Sequence, residues 1–178
     1  MTSVRARRGL LAIIGTIVTA VLVGGLLLFE PWKLVVDRVV DEPAPAPAPP
    51  AAAAGAAAPV VLAQGELIGH EHASSGTAVV VRLADGSRVL RLEDLDTSDG
   101  PLLKVWLTDA PVIEGTDGWY VFDDGAVVDL GELRGNIGSS NYPIPPEVDL
   151  DELTSVSIWC DRFDVSFAAA ALEQRASP

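Results

Sequence analysis

One cysteine, Cys160, stands in the whole chain of 178 residues, and the only two histidines, His70 and His72, sit two positions apart in Gly69-His70-Glu71-His72. These are the side chains that can bind a metal or move an electron. A cysteine with two histidines makes a donor set suited to zinc or copper, and a single histidine can face a thiolate across a haem iron. If the histidine segment is a strand, the i, i+2 spacing turns both imidazoles to one face; otherwise they are plain solvated or edge-strand histidines. Three roles are open to Cys160: a small buried hydrophobe with an inert thiol, a thiolate ligand to haem or another metal, or a redox-active or intermolecularly paired thiol. Asp161 and Asp164 beside it raise a thiol pKa, with Arg162 opposing them, which argues against a strongly nucleophilic cysteine. Tyr120 and Tyr142 are the other residues able to ligate haem. The absence of a Cys-x-x-Cys-His motif excludes covalent c-type haem.

Other chemistry is thinner. A single cysteine excludes an internal disulfide framework, an iron–sulfur cluster and a zinc finger. Asp94 to Gly100 reads D-L-D-T-S-D-G, three carboxylates and two hydroxyls in seven residues. Calcium tolerates that composition, but the spacing is not that of an EF-hand, and a turn satisfying its own backbone accounts for it better. Asp123-Asp124-Gly125 is read the same way. No serine is framed by a nucleophile elbow or a comparable signature, so nothing marks a hydrolase.

The elements that must position these residues are strands. Gly76–Leu83 (GTAVVVRL) and Arg88–Glu93 (RVLRLE) flank Asp85-Gly86, a hairpin-type turn, with Leu90 and Leu92 on one face and Arg91 and Glu93 on the other. Leu103, Val105 and Leu107 alternate with Lys104, Trp106 and Thr108. Val156, Ile158 and Cys160 alternate with Ser155, Ser157 and Trp159, and Phe163, Val165 and Phe167 with Asp164 and Ser166. Alternation thus puts Cys160 on an inward face at a strand end. No amphipathic helix longer than about ten residues interrupts these runs, so the expected fold class is all-β, an antiparallel β-sandwich or jelly-roll-like domain.

Upstream the chain changes character. Gly9 to Phe29 is 21 residues without a charge, long enough for a transmembrane helix at about 1.5 Å per residue. Arg5, Arg7 and Arg8 precede it and Glu30-Pro31-Trp32-Lys33 follows, which predicts a cytoplasmic N-terminus, with Trp32 as an anchor at the far interface. The competing reading is a long signal peptide, disfavoured because no small-x-small cleavage site follows the apolar run. Lys33–Glu42 (KLVVDRVVDE) suggests a short juxtamembrane helix. Pro43–Pro59 holds 6 of the chain's 13 prolines and reads as a Pro/Ala-rich spacer in extended polyproline form, lifting the next domain away from the membrane. The expected organisation is therefore 1–8 cytoplasmic, 9–29 transmembrane, 30–59 juxtamembrane segment and linker, and 60–178 extracytoplasmic domain. The chain's net charge is −13, and its acidity belongs to that last part, where 21 acids face 7 bases for a balance of −14. So acidic a surface repels phosphate backbones and excludes nucleic acid as a partner.

From His72 onward the chain resembles the DM-thirteen domain, described as an electron-transfer domain and often found beside DOMON domains. The resembling blocks are His72–Ala78 (HASSGTA), Asp85–Leu95, Thr97–Pro101, Leu130–Gly138, Asn141–Pro145 and Ser155–Cys160, with Phe163, Val165 and Phe167 behind them; together they span about Gly65 to Leu172. The resemblance places the family's signature cysteine on Cys160 and implies a redox role for it, as a bare thiol or as the ligand of a group such as haem; His72 is then the candidate for a second ligand. It gives His70 no counterpart. Leu102 departs from the pattern, standing where an Asp is common, and Trp106, Ser140, Leu153 and Ala168 depart elsewhere.

The expectation is a single-pass protein of the cell membrane presenting an electron-transfer domain outside the cytoplasm, with Cys160 as redox or haem-ligating residue and a redox protein as partner. The alternative is a non-redox binding or adhesion module in which Cys160 is merely packed.

Overall fold

The computed structural model describes residues 2–45 and 58–175, with side chains from Arg7 onward. Most of the Pro/Ala-rich spacer, and with it the polyproline expectation, lies outside the described residues. The uncharged N-terminal run is helical: α1 spans Thr2–Phe29. Its Arg7–Phe29 portion has a mean hydropathy of 2.6 and no buried residue in its most apolar stretch, so it is a candidate membrane span or signal sequence. The helix stops where Glu30 turns left-handed (φ 43°) and Pro31 removes the next backbone donor.

The segment after it corrects the expected juxtamembrane helix. Pro31–Val35 is one 3₁₀ turn, and Val39–Asp41 is a strand, β1. The valine pairs of this stretch mimic a helical period, but a parallel partner far along the chain wins. Strands then follow in order: β2 Val60–Glu66, β3 Ile68–Gly69, β4 Ser75–Arg82, β5 Arg88–Asp96, β6 Leu103–Thr108, β7 Val127–Glu132, β8 Ile137–Ile144, β9 Ser155–Cys160, β10 Val165–Ala171 and β11 Glu173–Gln174. They form two sheets, ordered β1-β8-β5-β4-β2-β11 and β3-β10-β9-β6-β7. Every pairing is antiparallel except β1 with β8. The expected β-sandwich is the fold.

The hairpin between β4 and β5 forms at the expected turn. Asp85 Oδ1 accepts from the Ser87 amide at 2.9 Å and its hydroxyl at 2.6 Å, and Gly86 supplies φ 84°. Between the sheets lie the inward positions read from alternation, among them Leu90, Leu92, Val105, Leu107, Val156 and Ile158, all fully buried. The outer face of β9 is not the solvated one that alternation suggests. Residues 109–126 fold back over it, so Trp159 is buried with Phe122, Ala110 and Ala169 in a second cluster and stacks on Trp106 at 5.0 Å. Ser155 and Ser157 on that face are sealed by hydrogen bonds to the Ala110 carbonyl and to Ser166 Oγ.

β1 is fastened before the spacer begins. The Arg38 guanidinium donates twice to buried Asp99, at 2.9 and 2.8 Å, while Asn136 Oδ1 accepts the Arg38 amide at 2.7 Å. Glu42 accepts from the Asn141 amide and from Arg134 at 2.8 and 2.6 Å. Gly138, at φ 100°, lets the strands close, since a Cβ there would lie 2.1 Å from the Val40 carbonyl oxygen. Both ends of the spacer thus join the same six-stranded sheet.

Candidate functional site

Cys160 ends β9, where the cross-strand partners are Leu103 on β6 and Val165 on β10. It is fully buried in the inter-sheet core. Its thiol donates to the Pro101 carbonyl at 3.3 Å. Burial pushes the thiol pKa up, and the charge of Glu71 adds to this; backbone amides of Arg162 and Phe163 and the Arg162 charge pull the other way. The acid that matters is therefore Glu71, not the sequence neighbours Asp161 and Asp164. Two non-glycine residues in left-handed backbone bracket the thiol, Leu102 (φ 55°) and Asp164 (φ 51°). A leucine there carries strain of about 1 kcal/mol or more, and the Leu102 carbonyl accepts the Asp161 amide at 3.1 Å, which ties the two turns together.

The histidines part company. The segment is a bend, not a strand, so the shared face never forms. His70 is buried, with Nε2 donating to the Ile113 carbonyl at 3.1 Å and Nδ1 2.9 Å from Ser166 Oγ, and burial lowers its pKa. It pins the 109–126 excursion to β10 and is spent on structure. His72 faces the other way, its ring against Phe167 with centroids 4.1 Å apart and its Nε2 2.5 Å from a Glu71 carboxylate oxygen. Among the described residues no three His, Cys, Asp or Glu side chains gather as a metal site, so the Cys-His-His set is not assembled. The Asp94–Gly100 loop is likewise spoken for. Asp99 pairs with Arg38 and accepts the Gly100 amide at 2.8 Å, and Asp94 and Asp96 lie in β5.

A cleft of about 450 Å³ opens beside Cys160. Its walls include His72, Tyr120, Phe163 and Phe167 from the sandwich and Phe29 and Leu34 from the helix end. Phe163, expected on a strand, instead lies in the turn before β10, 45% exposed, and stacks on Phe29 with centroids 5.7 Å apart and planes 8° apart. Of these residues the sequence marked only His72 and Tyr120, each as a possible ligand, and it did not bring them together. Phe29, His72, Tyr120 and Phe163 come from four separate segments, and their only sequence signal is bulk aromatic character beside turns.

Haem is a poor fit to Cys160 in this arrangement. Pro101 and Val165, the thiol's hydrogen-bond acceptor and its cross-strand neighbour, both line the cleft, whereas Cys160 does not. Sγ would have to give up its bond and pass between them to reach an iron. Tyr142 is excluded as a ligand by its own bonds, since its hydroxyl accepts from the Arg134 amide and from Ser140 deep in the opposite sheet. Tyr120 lies on the rim of the cleft, exposed.

The family model described as Electron transfer DM13 matches residues 66–172. The chain belongs to the DM13 family. That match covers every strand from β3 to β10 and gives the domain a general electron-transfer role. No curated protein and no solved structure matches the chain. Within the DM13 domain Cys160, Leu102, Phe163 and His72 all lie at one end of the five-stranded sheet, the end that meets α1.

Proposed function

We propose that the chain is a membrane-anchored electron-transfer protein whose DM13 domain works outside the cytoplasm, with Cys160 as its redox residue and a second redox protein as partner. One observation carries the reading: the single thiol of an electron-transfer domain lies one residue layer behind an aromatic cleft, covered by Pro101 and Val165, with the strained Leu102 next in the same turn. A thiol so placed is protonated and shielded at rest. It becomes available when the Pro101–Leu102 turn opens, which the positive φ of Leu102 makes less costly. Haem ligation by Cys160 and His72 is the finer form of this reading and requires that same opening.

The test is made on the full chain purified in detergent after expression with haem supplied. A Soret band lost in Cys160→Ala supports ligation. A Cys160-dependent thiol that oxidises reversibly in a redox titration supports the bare-thiol form. Absence of both removes Cys160 from the function. Orientation is checked with protease added to intact cells, and a DM13 domain that stays protected is on the other side.

A second reading rests on the complete burial and raised pKa of the thiol, the signature of a packed, inert cysteine. The domain is then a non-redox binding module with an acidic surface. Unchanged partner binding in Cys160→Ala, with no redox change to lose, favours it.

A further inference from the structure

The cleft does not end at the sandwich. A groove of about 280 Å³ runs along α1, lined by Val21, Leu22, Gly25, Leu26, Phe29 and Pro31. Phe29 and Pro31 belong to both. The apolar surface is therefore continuous from the middle of the helix, through Phe29, to the rings of Tyr120, Phe163 and Phe167. At its inner end the polar functions are the Glu71–His72 pair, with the imidazole 2.5 Å from the carboxylate.

We propose that this groove and cleft bind an isoprenoid quinone taken from the bilayer, its tail along α1 and its head among the cleft aromatics. The volume suits a ligand head, since small-molecule sites run to about 300–1,000 Å³ with apolar walls and few polar groups. Flat rings at several angles offer stacking faces to a conjugated head, which an acyl chain does not need. The Glu71–His72 pair offers an acceptor to the hydroxyl of the reduced head. Charge selects against a phospholipid head: a phosphate would lie beside Glu71 on a domain in which 21 acids face 7 bases. Gly25 keeps the groove open, with nothing within 4 Å of where its Cβ would stand.

The inference rests on the reading of α1 as a membrane anchor and on the electron-transfer role of the domain, and it concerns binding. The full chain is reconstituted in phosphatidylcholine nanodiscs and photolabelled with an azido derivative of decylubiquinone. Saturable labelling is expected, displaced by decylubiquinone and mapping to peptides that carry Tyr120 or Phe163. Gly25→Leu, which fills the groove outside the sandwich, and Phe163→Ala, at an exposed turn, are each expected to weaken binding about tenfold. Glu147→Gln, remote from the cleft, leaves it unchanged. Labelling that decylubiquinone does not displace, or that both variants retain, overturns the proposal. So does equal labelling by a phosphatidylcholine with an azide on its acyl chain that resists decylubiquinone, which would make the cleft a lipid groove. Saturable quinone labelling in a protein with no redox-active thiol removes Cys160 from the function and leaves the site, whereas a reversible Cys160 titration without labelling does the reverse.

Discussion

At the scale of single residues, Cys160 and Leu102 form one device. The thiol has its pKa raised by burial, so the unfolded chain ionises first as pH rises through the ordinary cysteine value of 9.0 while the folded chain keeps its proton. Stability therefore falls with rising pH in that range, and Cys160→Ala, read by denaturant midpoints at pH 8 and 10, should abolish that part of the slope. At neutral pH the same variant should cost about 1–2 kcal/mol as a small core truncation. Leu102→Asn places a residue tolerant of left-handed backbone where the leucine is strained and should raise stability by up to about 1 kcal/mol in thermal denaturation. It should also slow the reaction of Cys160 with a thiol reagent, because opening becomes rarer; faster labelling would dissociate the turn from the thiol. The inward direction of Cys160 was legible from period-two alternation on β9. The strain was not, because an αL leucine leaves no trace in composition. Only its departure from the family's usual Asp hinted that this turn has an unusual backbone.

Elements with a recognisable period were readable for the same reason: β5, β6 and β9 largely alternate about Leu90 and Leu92, Val105 and Leu107, and Val156 and Ile158, while β4 showed itself by the β-branched run Val79–Val81 before a turn. β10 was only half readable. Val165 and Phe167 face the inter-sheet core as alternation predicts, but a bulge shifts the register between Ser166 and Ala168, so Ala168, Ala170 and Leu172 carry the inward series beyond it. β1, β3 and β11 have two or three residues each, too few to show any period, and β1 sits in a run whose valines repeat at helical spacing. Within the 109–126 excursion only Asp123-Asp124-Gly125 was read for structure, as a turn, yet its Ala110, Val112 and Phe122 cover a sheet face, and His70 fastens it. Because burial lowers the His70 pKa, the unfolded chain takes up a proton first as pH falls through the ordinary histidine value of 6.5, and the folded state loses stability there. A thermal midpoint that drops between about pH 7 and pH 5.5 in the native chain but much less in His70→Gln is the expected result. An unchanged slope would place the sensitive group elsewhere.

For the whole molecule, the helix and the sandwich are joined tightly. Asp99, two percent exposed, loses its partner in Arg38→Ala, and leaving a buried carboxylate unpaired should cost about 3 kcal/mol in urea unfolding. A chain cut back to Val60 loses β1 altogether and bares the edge of β8. It should unfold at lower urea than a chain beginning at Asp37 and self-associate more readily through that edge. Equal midpoints for the two would show that β1 is an ornament of the sheet. Domain size, acidity and the uncharged N-terminal run were all plain from the sequence. The attachment was hidden because it depends on residues about a hundred positions apart, which no local pattern records.

The pairing of Val39 with Ile137 also fixes an order of events during synthesis. Translation delivers β1 first, and its partner strand emerges 98 residues later, several seconds at about 5–20 residues per second. Throughout that interval β1 has nothing to pair with, and the growing sheet lacks the strand that ends it. The hydrogen bonds that seat β1 thus wait for β8, and a nascent chain stalled before Ile137 carries a helix, a bare strand and an unfinished edge together. Quality-control factors that recognise exposed strands have their target in that intermediate, not in the finished protein.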